Sequence, residues 1–299
     1  MRILVTGKEG QVDTSLQQLG DATPGIEVVR LGLPEIDLSR PETLEAPVRA
    51  ARPDIIISSA AYTAVDKAET EQDLAQAINA GGPGELARLA AALDIPLLHL
   101  STDYVFAGDK AGIYVETDLP GPVSVYGQTK LAGEQAIAQA TGNHVILRTA
   151  WVYSPFGNNF VKTMLRLGET RDEINVVADQ YGCPTYAPEI ARALLAVAQR
   201  VTADRDPALR GVFHLTGQGE TTWAGFAGAI FTGAMARGRN AVKVNDIPTS
   251  AYPTPAKRPA NSRLSGEKLF NTYDLRLDPW QVSLDACLDQ LIGKPGGVQ

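Results

Sequence analysis

Short unbroken apolar runs recur along the first half of the chain, separated by longer stretches in which apolar residues return every three or four positions. Ile3-Leu4-Val5 and residues 27–30 (EVVR), 54–58 (DIIIS), 95–100 (IPLLHL) and 144–148 (HVILR) have the length and β-branched content of strands. Runs that are apolar throughout are what a sheet covered on both faces demands. Helical stretches lie between them. One carries Leu16 and Leu19; one runs from about Glu69 to Leu93, with an interruption expected near Gly81-Gly82-Pro83-Gly84; one begins at Pro122 and passes through Ala138. Strand and helix alternate without a break, which predicts an α/β fold with a Rossmann-like, doubly wound parallel sheet.

Beyond Thr149 the rhythm changes. Trp151-Val152-Tyr153 and Gly157-Asn158-Asn159-Phe160 form an aromatic, Gly/Asn-rich entrance to a helix ending near Gly168. Residues 174–177 (INVV) read as a strand, 180–185 as a loop, 187–199 as a helix and 212–215 (VFHL) as an edge strand. From Thr221 follow an amphipathic helix, an apolar pair at Val242 and Val244, a proline-rich run from Pro248 to Pro259, and a terminal helix from about Val282 to Leu291. The expected division is a dinucleotide-binding domain over 1–150, with 171–220 returning to it, and a smaller α/β substrate-binding domain from 151–170 and 221–299.

Composition narrows the classes of partner. The 299 residues are 44% hydrophobic and 20% charged, enough for one large domain or two unequal ones. A net charge of −7 argues against nucleic acid or a membrane surface as partner, since both call for a basic face, and leaves a small molecule. No apolar run approaches membrane-spanning length, and the first strand begins at once, leaving no room for a signal peptide. A cytoplasmic location is expected. Cys183 and Cys287 lie far apart, and His99, His144 and His214 stand singly beside apolar runs, so neither a disulfide framework nor a metal site is indicated.

Candidate chemistry gathers where strands end. Tyr126 and Lys130 sit four apart in the third helical stretch and share a face. A cation ~4 Å from a phenol, at an effective dielectric near 20, favours the phenolate by about 4 kcal/mol, which makes the pair a proton donor. An exposed helix that happens to carry Tyr and Lys is the plain alternative. Gly7, Gly10, Gln11 and Val12 form a strand–turn–helix junction of the kind that cradles a pyrophosphate. Arg30 ends the second strand, where an arginine can meet a 2′-phosphate and an acidic residue would bind a ribose hydroxyl, so it leans towards NADPH over NADH; a solvated strand-end arginine fits as well. Asp37 and Leu38 fall beside the expected adenine, and Ala61, Tyr62 and Thr63 follow the third strand. Thr102 and Asp103 follow the fourth, where open α/β sheets place their sites.

The glycine turn, Ser101-Thr102 and the Tyr126/Lys130 pair together resemble the extended short-chain dehydrogenase/reductase superfamily. Within it the chain is similar to the dTDP-4-dehydrorhamnose reductase family, through residues 60–69 (AAYTAVDKAE), 101–106 (STDYVF), 125–130 (VYGQTK), 148–153 (RTAWVY), 157–165 (GNNFVKTML), 253–259 (PTPAKRP) and 261–264 (NSRL). The resemblance implies reduction of the C4 ketone of dTDP-4-dehydro-L-rhamnose by a nicotinamide hydride. Tyr126 would donate the proton, Lys130 would hold the nicotinamide ribose and acidify the phenol, and Thr102 would hydrogen-bond the ketone. Asp103 would lie against the sugar and Trp151 would wall its pocket. Gly7, Gly10, Gln11, Val12, Arg30, Asp37, Leu38, Ala61, Tyr62 and Thr63 would line the dinucleotide.

Three positions depart from the resembled pattern: Asp13 replaces a third glycine, Ser58 replaces an asparagine, and Arg30 replaces an acidic residue. Some members carry Mg²⁺ at a dimer contact, which leaves a homodimer open; no ligand cluster in the sequence places the metal. Two other readings stay open: a non-catalytic, cofactor-binding regulatory subunit, and a nucleotide-sugar epimerase or dehydratase. The dehydratases commonly have Asp-Glu where this chain has Asp103-Tyr104.

Overall fold

A computed structural model of the chain describes residues 1–295. Five strands from the first half, β1 (Arg2–Thr6), β2 (Glu27–Leu31), β3 (Ile55–Ser58), β4 (Leu97–Thr102) and β5 (His144–Thr149), join Gly211–His214 in one parallel sheet. Its order is Gly211–His214, β5, β4, β3, β1, β2. The chain moves outward from β1 to β2, then returns to the other side of β1 with β3. That reversal opens a crevice at the carboxyl ends of the strands, the standard ligand position in such sheets. In register, Thr6 pairs with Ser58, Ser58 with His99, and Thr102 with Thr149.

The strand runs are apolar throughout because each strand feeds two cores. Ile3, Val5, Ile55, Ile57, Leu98 and Leu100 pack beneath helices Gln11–Asp21 and Ala187–Ala203. Leu4, Ile56, Leu97 and Ile146, the alternate positions, pack on the other face against Leu86, Leu89 and Ile137. Burying each such side chain contributes roughly 1.5–3 kcal/mol, so both covers are strongly held.

Two helix boundaries differ from the sequence expectation. The glycines at 81–84 do not interrupt their helix: it runs from Gln72 to Ala92, with its middle turn, Ala77–Gly81, widened into a π-helical turn. Gly82 is there for packing, since an added methyl would lie 2.8 Å from the Leu38 carbonyl oxygen. Pro83, which lacks an N–H, follows a turn whose hydrogen-bond ladder is already shifted. Pro122 does not begin the next helix, which spans Val125–Ala140 and is capped by Ser124.

The second lobe has its own aromatic core. Helices Phe160–Gly168, Trp223–Met235 and Trp280–Ile292 enclose Tyr153, Phe226, Ile230 and Leu288. Of the segment 171–220, Ala187–Ala203 covers the main sheet and Gly211–His214 extends it. Glu173–Val177 instead pairs in parallel with Lys243–Ile247, away from that sheet. A helix the sequence reading missed, Glu267–Tyr273, packs Leu269 into the main core. Among the described residues no helix is long and apolar enough to cross a membrane.

Candidate active site

Two glycines decide how closely the Val125–Ala140 helix can lie. A methyl group added at Gly127 would stand 2.2 Å from the Tyr104 carbonyl oxygen, and one at Gly133 2.1 Å from that of Asn79. Both neighbours are backbone and cannot swing aside, so only glycine lets the helix press on the Asp103–Val105 turn after β4 and on the widened turn. Asn79, fully buried in that turn, accepts the Tyr62 N–H at 2.8 Å and donates to Thr129 Oγ1 at 3.0 Å. It clips the loop after β3 to the helix. Further along, Arg148 of β5 reaches Glu134 at 2.6 and 2.9 Å, and Ser101 donates to the same carboxylate at 2.5 Å. An unpaired charge here would cost ~3–5 kcal/mol, so the pair locks the helix to the ends of β4 and β5.

Tyr126 and Lys130 leave this helix towards the end of β4, as their spacing requires. Tyr126 is half-buried and meets Tyr104 edge-on, with ring centroids 5.4 Å apart. Lys130 is 2% exposed; its Nζ donates to the Leu100 carbonyl at 2.7 Å and lies 3.1 Å from His99 Nε2. Burial lowers the ammonium to about 8, against the pull of Glu134. The expected acidification of the phenol by Lys130 is corrected here. Burial drives Tyr126 well above its ordinary value, with the Thr102 hydroxyl opposing it, while Lys130 spends its hydrogen bonds on β4. The phenol is thus a firmly loaded proton donor at neutral pH.

Thr102 is already engaged. Its Oγ1 accepts the Tyr104 N–H at 3.2 Å and donates its single proton to Asp103 Oδ1 at 3.0 Å. Donation to a substrate oxygen therefore requires Asp103 to release that proton. Asp103 is 2% exposed, and burial pushes its carboxyl up to about 6 despite the Ser262 and Thr102 hydroxyls beside it. Its Oδ2 has no partner among the described residues. A protonated Asp103 can give its own proton to Thr102 and free that hydroxyl for the site.

At the glycine turn, Gly7 takes a φ of 115°, which side chains avoid, and Gly10 caps the 11-residue helix Gln11–Asp21. The first N–H groups of such a helix have no partner within it and suit a pyrophosphate. Asp13 fills the hollow between these glycines: methyl groups added at Gly10 and Gly7 would lie 2.3 and 3.2 Å from its carboxyl group. Its carboxylate turns back to accept the Gly10 N–H at 3.1 Å, and burial raises it above its ordinary range in spite of this bond. A carboxyl raised on folding opposes the folded state as pH climbs through its titration. Asp13→Asn, which keeps the acceptor, should therefore equal or exceed wild type in urea unfolding at pH 7. Asp13→Gly, losing the cap and adding helix entropy, should be less stable by about 2 kcal/mol.

The other dinucleotide candidates contribute unequally. Gln11 spends its side chain across the lobes: Oε1 accepts from Ser154 Oγ at 2.8 Å and from Asn159 Nδ2 at 3.0 Å. Val12 is buried in the core, so both residues can present only backbone N–H groups to a phosphate. Arg30 donates to the Lys8 carbonyl at 2.7 Å and braces the turn from the end of β2. Asp37 accepts from the Ser39 N–H and hydroxyl, which hold its carboxyl low, and Leu38 packs against Gly82. Ala61, Tyr62 and Thr63 lie in the loop that Asn79 holds, and the Tyr62 phenol bonds Glu71.

Adjoining Tyr104 is a cavity of about 720 Å³ lined also by Val177, Gln180, Trp223, Tyr252 and Arg258, among others. Trp151, the residue expected to wall it, holds a left-handed φ of 48° and stacks on Trp223 with ring centroids 3.6 Å apart. Trp223 is the ring that reaches the cavity. Gly182 makes room for Trp151, since an added methyl would lie 2.3 Å from its indole. Arg258 bridges Asp66 at 2.6 Å and the Tyr104 hydroxyl at 3.2 Å, linking the short helix Val65–Ala68 after β3 to the cavity lining. Sequence reasoning assigned no role in the site to Asn79, His99, Trp223 or Ser262: Asn79 and Trp223 lie in ordinary helical segments, His99 stands singly beside an apolar run, and no spacing marks Ser262 within 261–264.

A doubly wound sheet, a glycine turn opening a helix, and Thr, Tyr and Lys converging after β4 define an oxidoreductase of the extended short-chain dehydrogenase/reductase class. The family model described as the RmlD substrate binding domain matches residues 1–292, and the chain belongs to that family, the dTDP-4-dehydrorhamnose reductases. It is 52% identical over 283 residues to the dTDP-4-dehydrorhamnose reductase of Sinorhizobium fredii, covering 95% of each chain. Its fold matches the dTDP-4-dehydrorhamnose reductase of Clostridium acetobutylicum with a TM-score of 0.90 at 38% identity, covering 97% of this chain and 99% of that one. A Bacillus anthracis dTDP-4-dehydrorhamnose reductase solved in complex with NADP matches with a TM-score of 0.88 at 35% identity, with the same coverage.

Proposed function

We propose that this protein reduces the C4 ketone of dTDP-4-dehydro-L-rhamnose to the alcohol of dTDP-L-rhamnose, using NADPH in preference to NADH. The observation that carries the reading is the Thr102 hydroxyl beside the Tyr126 phenol at the end of β4, next to Tyr104, whose ring meets Tyr126 edge-on and lines the Trp223 cavity. The residues around the turn fit a dinucleotide: the first N–H groups of the Gln11–Asp21 helix would meet a pyrophosphate, and Arg30, near the end of β2, would supply the cation that a 2′-phosphate needs. Bound there, a reduced nicotinamide supplies the hydride.

The chain's own residues supply the rest. Tyr126 protonates the alkoxide oxygen as negative charge develops on it, and Thr102 orients that oxygen once Asp103 yields its hydrogen bond. Lys130 contributes a buried positive charge one helical turn away, which stabilises the developing anion more strongly than it would in water. The sugar lies against Asp103, and the stacked Trp151–Trp223 pair fixes the wall beside it. Among the described residues no group of three or more His, Cys, Asp or Glu could hold a metal ion, and no step here is routed through one.

The test supplies dTDP-4-dehydro-L-rhamnose with NADPH and, separately, NADH, and follows cofactor oxidation. Stoichiometric oxidation with formation of dTDP-L-rhamnose supports the reading. Absence of turnover would favour a regulatory subunit, and sugar interconversion without net cofactor consumption an epimerase. Arg30→Ala should reduce the NADPH-over-NADH preference in kcat/KM about tenfold, the value of roughly 1.4 kcal/mol of charge-assisted bonding.

A further inference from the structure

Lys130 is nearly inaccessible to solvent, yet it carries three protons that need acceptors. The Leu100 carbonyl takes one at 2.7 Å. The other neighbour within hydrogen-bond reach is His99 Nε2 at 3.1 Å, on a ring that is itself fully buried. On the far side of that ring, Nδ1 lies 3.0 Å from the hydroxyl of Ser58, also fully buried. An ammonium can only donate, so Nε2 must be the bare nitrogen, and Nδ1 must carry the proton and donate it to Ser58. The tautomer is fixed from both ends. The register of β3 and β4 sets Ser58 directly opposite His99, so the relay Ser58–His99–Lys130 runs across the sheet to the catalytic helix.

We propose that His99 is a positioning residue for Lys130: a neutral imidazole, held in one tautomer by Ser58, that accepts from the ammonium and fixes both its place and the pH at which its charge is lost. Other charged groups bear on this pair. Glu134, one turn along the helix, favours the charged lysine but is itself spent on Arg148 of β5 and on Ser101. From β5, His144 disfavours charging of His99, and Lys130 does so more strongly, after burial. His99 is thus kept neutral, and its lone pair stays available to Lys130 across the working pH range.

The proposal rests on the reductase reading only for its kinetic readout. Lysine side chains labelled with ¹³C, followed by NMR in the free protein, report the charge of Lys130 without any reaction. In wild type one resonance should titrate near pH 8, matched by the alkaline limb of kcat/KM. In His99→Leu, which removes the acceptor, both should move down by about one pH unit. His99→Gln, whose amide oxygen can accept, should restore them. If His99→Leu fails to fold, Ser58→Ala, which frees the ring, should move both in the same direction by a smaller amount. A lysine titration unmoved in the folded variant would overturn the proposal. Absence of turnover in wild type with the titration shifting as described would sink the reductase reading and leave the proposal standing.

Discussion

Tyr126→Phe should lower kcat by about a thousandfold or more while leaving NADPH affinity within a few-fold of wild type. Loss of a positioned general acid costs roughly 10²–10⁴ in rate, and the upper part of that range is expected because no second donor is ready. Thr102 donates its hydrogen bond to Asp103, and Lys130 has turned its own to Leu100 and His99. Burial holds the Tyr126 phenol far above neutrality, so the wild-type acid stays loaded throughout the working range. Any alkaline fall in activity then belongs to Lys130, near pH 8. The lysine's effect on stability has the opposite sign. Its folded value lies below the unfolded 10.5, so between about pH 8 and 10.5 the unfolded chain binds more protons and this group's contribution to stability rises. Activity lost in that window without loss of fold is the expected signature. Steady-state kinetics with fluorescence titration of NADPH decide the matter: a Phe variant within tenfold of wild type removes Tyr126 as the acid.

Gly127→Ala should damage both stability and catalysis, although it adds a single methyl group to a helix. The methyl would sit 2.2 Å from the Tyr104 carbonyl oxygen, so the helix must retreat from the turn after β4. Overpacking of this kind costs about 1–3 kcal/mol, and a displacement near 1 Å at the reacting groups costs about a hundredfold in kcat. Gly228→Ala is the internal control. It lies within the Trp223–Met235 helix, where an added methyl meets nothing within 4 Å. That exchange should stabilise by about 1 kcal/mol through helix propensity alone and leave kcat unchanged. Urea unfolding and kcat measured on both variants separate the two cases; an active, stable Gly127→Ala protein would mean that the helix does not depend on this close approach.

The sheet was legible in the sequence because burial on both faces makes strands read as unbroken apolar runs, and Ile3-Leu4-Val5 and Ile55-Ile56-Ile57 have no other use. The junction at Gly7 was legible for a related reason: a positive φ leaves glycine as the residue that fits without strain. The widened turn at Ala77–Gly81 was not, since glycines chosen for close packing look the same as glycines that end a helix. Pairing of Glu173–Val177 with Lys243–Ile247 joins segments some seventy residues apart, and nothing in either five-residue stretch names its partner. The acidity of Tyr126 was misjudged because spacing on a helix shows which side chains are neighbours but not how much water they lose. His99 stands singly beside an apolar run, and it is packed. What the sequence could not show is that its two ring nitrogens find Ser58 and Lys130.

The most direct measurement follows the hydrogen itself. NADPH carrying deuterium at both positions of nicotinamide C4 would be given to the protein with dTDP-4-dehydro-L-rhamnose, and the sugar nucleotide analysed by mass spectrometry and NMR. The expected result is a single deuterium at sugar C4 of dTDP-L-rhamnose in wild type, with none transferred at a comparable rate by Tyr126→Phe. A reduced product without deuterium at C4, or deuterium transfer undiminished in Tyr126→Phe, would contradict the site described here.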